Sequence, residues 1–176
     1  TYYHFNRYTE ALDDFQKVLE LDSLNGDAIN WMGVIYRNRG DLALAIKTYE
    51  RGIALEEINP QSAAFCYRNR ALIYKAIKDY DLAIDDLTKS INLDPKNGDR
   101  YIHRANIYRE LNKKTKALID YTEAIKLDPK NQVFYIARGE LHYEYQDYIE
   151  ALDDFQKVLE LDSLNGHAIT YIGVIY

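Results

Sequence analysis

The chain has 176 residues, 47% of them hydrophobic and 28% charged, with only 3 prolines and 8 glycines; this composition fits a folded core or an elongated array and excludes a disordered chain. A net charge of −6 argues against a nucleic-acid partner, because phosphate binding needs a basic stripe. The single cysteine, Cys66, excludes a disulfide framework and a cysteine-based zinc site, and the absence of any apolar run near the ~20 residues a bilayer demands excludes membrane insertion; a reducing, cytoplasmic setting is the expectation.

In chain order, residues 1–25 carry one clear amphipathic segment, at 8–21, which reads as the second helix of a pair whose first helix is mostly absent. Residues 26–59 hold a complete helix pair, and 60–63 read as a lengthened loop before the next pair. The best-formed unit is 64–97. In its first half Tyr67, Ala71, Tyr74 and Ile77 recur at helical steps. Lys78 and Asp79 then form a turn, with the aspartate suited to cap the following helix. In its second half Leu82, Ala83, Leu87, Ile91 and Leu93 share an inner face, and Asp81, Asp85, Asp86 and Lys89 turn outward. Asp94-Pro95 stops the helix, because proline cannot continue it. Two further pairs occupy 98–131 and 132–165, and 166–176 forms the first helix of another.

The pairs align on Ala11, Ala45, Ala83, Ala117 and Ala151, spaced 34, 38, 34 and 34 apart. Nine residues earlier stand Tyr2, Tyr36, Tyr74, Tyr108 and His142; four later stand Phe15, Tyr49, Leu87, Tyr121 and Phe155. Small residues stand twelve earlier, at Gly33, Ala71, Ala105 and Gly139, letting two helices approach closely. The abundant tyrosines, 17 in all, suit the wider gaps between helices. Residues 10–26 recur letter for letter at 150–166, so a four-pair block has been duplicated and the parent array is expected to be longer.

A period of 34 with this spacing resembles the tetratricopeptide repeat (TPR) family. The resemblance implies an all-α, right-handed superhelical solenoid of antiparallel helix pairs, in which each pair buries its apolar face on its neighbours. It also implies a protein-interaction scaffold, with first helices lining a concave face.

No enzyme signature is present: there is no GxSxG, P-loop, GxGxxG or HExxH, and the expectation is a non-enzymatic protein without cofactor or metal. His142 takes a tyrosine position and reads as a packed side chain. His103 follows Asp99 by one helical turn, too few ligands for a metal site. Cys66 reads as a small buried residue. The pairs Asp13-Asp14, Asp85-Asp86 and Asp153-Asp154 read as solvated outer-face carboxylates.

The binding surface is the stronger expectation. The second, fifth, sixth, ninth, twelfth and thirteenth positions of each repeat face inward in the family. Here they are Asp27, Asn30, Trp31, Val34, Arg37 and Asn38; Phe65, Arg68, Asn69, Leu72, Lys75 and Ala76; Asp99, Ile102, His103, Asn106, Arg109 and Glu110; and Val133, Ile136, Ala137, Glu140, Tyr143 and Glu144. Arg37, Lys75 and Arg109 share one position and are expected to form a basic line, unless they only balance Glu110, Glu140 and Glu144. Phe65, Ile102, Val133 and Ile136 make an apolar strip beside it, which suits a peptide with acidic and apolar side chains. Asn30, Asn69 and Asn106 would hydrogen-bond its backbone. The family's two-carboxylate clamp is not matched: Asn30, Val34, Asn69, Asp99 and His103 occupy its positions and only Asn69 fits. A second expectation is a structural spacer, whose half-repeats stack head to tail in an open, heterologous contact.

Overall fold

The computed structural model of the protein describes the backbone of residues 2–176 and the side chains of residues 7–176. Among these residues the fold is all α, with ten helices and no strand. They are α1 Tyr2–Leu21, α2 Gly26–Arg39, α3 Leu42–Ile53, α4 Pro60–Ala76, α5 Tyr80–Leu93, α6 Gly98–Glu110, α7 Lys114–Leu127, α8 Gln132–Glu144, α9 Tyr148–Leu161 and α10 Gly166–Ile175. The chain divides into two compact units, Thr1–Pro95 with α1–α5 and Lys96–Tyr176 with α6–α10. Within them α2 packs on α3, α4 on α5, α6 on α7 and α8 on α9. No helix among the described residues is long and apolar enough to cross a membrane.

The helix boundaries follow from local chemistry. Every first helix from α2 to α10 starts at an asparagine: Asn25, Asn59, Asn97, Asn131 and Asn165 each accept a hydrogen bond from a backbone N–H in the first turn. The turns inside the pairs pass through a left-handed residue, Gly40, Lys78, Asn112 or Gln146. Asp79 caps α5 by accepting from the Leu82 N–H, as its sequence position implies. Asp147, at the same place before α9, makes no cap bond. Its carboxylate instead accepts from Lys114 and contacts His142 Nδ1 at 3.2 Å, and these bonds, Lys114's first, hold it below the usual carboxylate range.

Two boundaries differ from the sequence reading. Residues 60–63 are not loop but the first turn of α4, with Pro60 at N1, where its missing N–H costs nothing, and Ser62 and Ala63 buried. The insertion thus lengthens a helix, and the preceding connection, 54–59, stays short. α1 runs unbroken from Tyr2 to Leu21, through the place where the repeat register puts a turn.

The core lies between the paired helices. In the second unit Ala117, Tyr121, Leu141, Ala151 and Phe155 are fully buried; in the first, Ala45, Tyr49, Ala71, Ala83 and Leu87 are. Close approach depends on small residues: a Cβ at Gly33 would come within 2.3 Å of the Tyr49 ring. Leu82, read as an inner-face residue, is exposed at 45%.

Asp86 and Asp154, read as solvated, are buried, as is Asp120. The cause is a buried ion pair repeated every 34 residues. Arg70 Nε and Nη2 donate to Asp86 at 2.8 and 2.7 Å, Arg104 donates to Asp120 at 2.8 and 2.8 Å, and Arg138 to Asp154 at 2.9 and 2.7 Å. Each bidentate fork ties a first helix to its second helix, sixteen residues later, and pulls the carboxylate off the outer face. Repeat 26–59 has Met32 and Thr48 in these positions, both lining a cleft of about 240 Å³. Asp14 keeps the outward place expected of it and pairs with Lys17 on the surface.

Candidate functional site

In the first unit α2 and α4 lie side by side. Asn25 and Asn59 fix where the two helices begin. Their starts approach closely at Gly26, where a Cβ would stand 2.5 Å from Ser62 Cβ. This places Asp27, Asn30, Trp31, Val34, Arg37, Phe65, Arg68 and Asn69 around one hollow of about 470 Å³. All eight stand at positions the repeat register assigns to the inner face. Lys75, further along α4, is not among them.

A polar cluster links the two helices. Asn69 Nδ2 donates to Asn30 Oδ1 at 2.8 Å, within the protein. Asn69 Oδ1 accepts from Arg68 Nη1 at 3.1 Å and from Arg37 Nη1 at 3.4 Å. Two guanidinium groups therefore converge on one neutral oxygen. Among the described residues Asp27 is the only carboxylate lining the hollow, and its Oδ1 accepts from Ser62 Oγ at 2.7 Å. Trp31 is 54% exposed and, with Val34 and Phe65, gives the hollow its apolar part.

Beside it lies Tyr49, fully buried, whose hydroxyl has no hydrogen-bond partner among the described residues. Burial pushes this hydroxyl up to about 12, and the charges of Arg37 and Arg68 oppose the rise. The equivalent Tyr121 donates to Asn106 Oδ1 at 2.6 Å; in the first unit Val34 stands at the Asn106 position.

The second unit uses the same register differently. Arg109 donates to Glu140 at 2.7 Å through Nη1, and to Glu144 through Nε and Nη2. These bonds, Glu144's first, raise its pKa beyond the ordinary arginine range. The charge balance weighed from sequence is thus realised at Arg109. Glu140 also meets His167 Nε2 at 3.1 Å. Tyr143 stands edge-on to Tyr171, ring centroids 5.1 Å apart. Ile102 is buried in the core, with Ile136 packed against that core from its edge, so Ile102 does not present an open apolar surface. His103 is half-buried on α6. Among the described residues no three His, Cys, Asp or Glu side chains group as metal ligands. Cys66 is buried, and burial, followed by the charge of Asp27, pushes its thiol up to about 12.

The asparagine caps and the Arg–Asp forks were the signals missed in the sequence, although both recur at the repeat spacing.

Comparison with known proteins agrees with this architecture. Profiles of the tetratricopeptide repeat match residues 25–96 and 99–131. Among curated proteins, the photosystem I assembly protein Ycf3 of Synechococcus sp. (strain CC9605) is 31% identical over 105 residues, covering 50% of this chain and 58% of Ycf3. The chain thus spans little more than half the length of that relative. Among solved structures, MamA superposes with a TM-score of 0.75 at 23% identity, over 91% of both chains. YrrB, described as a TPR protein with an unusual peptide-binding site, gives 0.74 at 22% identity, over 92% of this chain and 81% of its own. The first TPR domain of Spaghetti (RPAP3), bound to an HSP90 peptide, gives 0.61 at 30% identity, over 65% of this chain and 91% of its own. With profiles matching more than half of its residues at the repeat spacing, the chain belongs to the tetratricopeptide repeat family.

Proposed function

We propose that this protein is a non-enzymatic scaffold that captures a peptide segment or helix of a protein partner, and that the capture site is the hollow between α2 and α4. The observation that carries the reading is the convergence of eight inward-register residues on one hollow of about 470 Å³. Its lining is mixed: Trp31, Val34 and Phe65 offer apolar contact, and the Asn30–Asn69 pair and two arginines offer polar contact. Such a lining suits an extended segment, whose backbone is met by amides and whose alternate side chains enter pockets. The peptide-bound RPAP3 domain supports the reading by relation; the assembly role named for Ycf3 makes a protein partner the natural ligand class.

The test is a binding screen of partner segments against a variant carrying Asn30→Ala, Trp31→Ala and Phe65→Ala. The expected result is loss of binding by tenfold or more, with helical circular dichroism retained. Unchanged affinity in a folded variant would move the site elsewhere.

End-to-end stacking is the weaker reading. If α10 of one copy served as first helix for α1 of the next, the register would set Ile172 against Asp14, where three of the four full repeats set arginine against aspartate. A carboxylate buried without its partner costs several kcal/mol. Light scattering should therefore show a monomer from micromolar to near-millimolar concentration; a mass that rises with concentration would restore the stacking role.

A further inference from the structure

We propose that the hollow between α2 and α4 is a receptor for a side-chain carboxylate, an aspartate or glutamate of a partner segment, held between Arg37 and Arg68. The inference rests on the capture reading above and names what the site selects.

Repeat symmetry carries it. Arg37 and Arg109 occupy the same position of their repeats. Arg109 is satisfied by two carboxylates on the next first helix, Glu140 and Glu144. The corresponding residues for Arg37 are Leu72 and Ala76, which carry no charge. Among the described residues Arg37 meets only the neutral oxygen of Asn69, at 3.4 Å. The second unit shows the kind of partner this position takes; in the first unit that partner has to come from outside.

The surroundings agree. The Arg68 guanidinium donates to the same Asn69 oxygen as Arg37, so two part-buried positive groups stand close together. An anion between them relieves their repulsion and makes charge-assisted bonds, which are stronger than bonds to an amide. The buried Tyr49 hydroxyl beside them has no hydrogen-bond partner among the described residues. The side chain next to the acid would rest on Trp31, Val34 and Phe65, and Asn30 Nδ2 suits a backbone that continues past it. For that reason the carboxylate is assigned to a side chain and not to a chain terminus.

Trp31 is the sole tryptophan and lines the hollow, so its emission reports occupancy. The probe is a positional-scanning library of short peptides, acetylated and amidated at their ends, with one position fixed in turn as Glu, Gln, Asp or Asn. The expected result is selection of Glu or Asp at one position, about tenfold or more over Gln or Asn. Arg37→Gln should bring that ratio near one and spare the apolar preference. Ala76→Glu, on an exposed site, supplies an internal carboxylate in the place of Glu144 and should weaken acidic peptides about tenfold without unfolding the chain. Equal binding of Glu and Gln peptides would overturn the inference and leave the capture site standing, as would a preference for peptides with a free C-terminal carboxylate. If no peptide changes Trp31 emission, the capture reading falls and the inference with it.

Discussion

Arg70→Met should destabilise the protein by about 3–5 kcal/mol in chemical denaturation, because it leaves the Asp86 carboxylate buried without its counter-ion. The guanidinium also lies over the Tyr67 and Tyr74 rings, 5.8 and 5.6 Å from their centroids, and those contacts go with it. The double variant Arg70→Met with Asp86→Thr copies the pair that repeat 26–59 already has, Met32 and Thr48. It should return to within about 2 kcal/mol of wild type, since replacing both members of a buried pair is far milder than breaking it. A double-mutant cycle measures the difference directly. If both single variants and the double variant cost the same, the fork is not what holds the two helices in register.

The second large effect concerns close packing. Gly33→Ala places a methyl group within 2.3 to 2.8 Å of three atoms of the Tyr49 ring, which is fully buried and cannot turn aside cheaply. The expected cost is about 1–3 kcal/mol. Gly173 is the same repeat position on α10, with no atom within 4 Å of an added Cβ. Gly173→Ala should be neutral, or stabilising by up to about 1 kcal/mol, the helix-propensity gain of alanine over glycine. Thermal melts of the two variants separate overpacking from propensity. Similar melting shifts in both would show that the Tyr49 contact is not limiting.

The fold was legible because its signal is repetition. A tyrosine or glycine at one helix crossing says little, but Gly33, Ala71, Ala105 and Gly139 at one register position fix both the helix pairs and the face they bury. The same register assigns one face to the eight residues that line the hollow. Patterns of polarity misled where two polar groups solve each other's burial. Asp86 looks solvated on a helical wheel, and it is buried because Arg70, on the other helix, reaches it. The pairing is invisible within either helix and appears only when Arg70, Arg104 and Arg138 are aligned across repeats. Pro60 misled for the opposite reason. As a helix breaker it reads as a loop residue, yet proline is well suited to the first turn of a helix, and Asn59 just before it is the cap.

Charge assignment at the site had the same limit. Arg37 and Arg109 cannot be told apart by register alone. What separates them is the next first helix, with Leu72 and Ala76 in one case and Glu140 and Glu144 in the other. The basic line expected along the first helices is therefore not uniform, since Arg109 is already occupied within the protein and Arg37 meets an amide.

The most direct measurement of the central claim is a map of backbone amide and Trp31 indole chemical shifts during titration with the tightest peptide from the library. Capture in the hollow predicts shifts concentrated on α2 and the middle of α4, at Asn30, Trp31, Val34, Arg37, Phe65 and Asn69, with Trp31 Nε1 among the largest. Shifts confined to α3 and α5, or to α10, would contradict it.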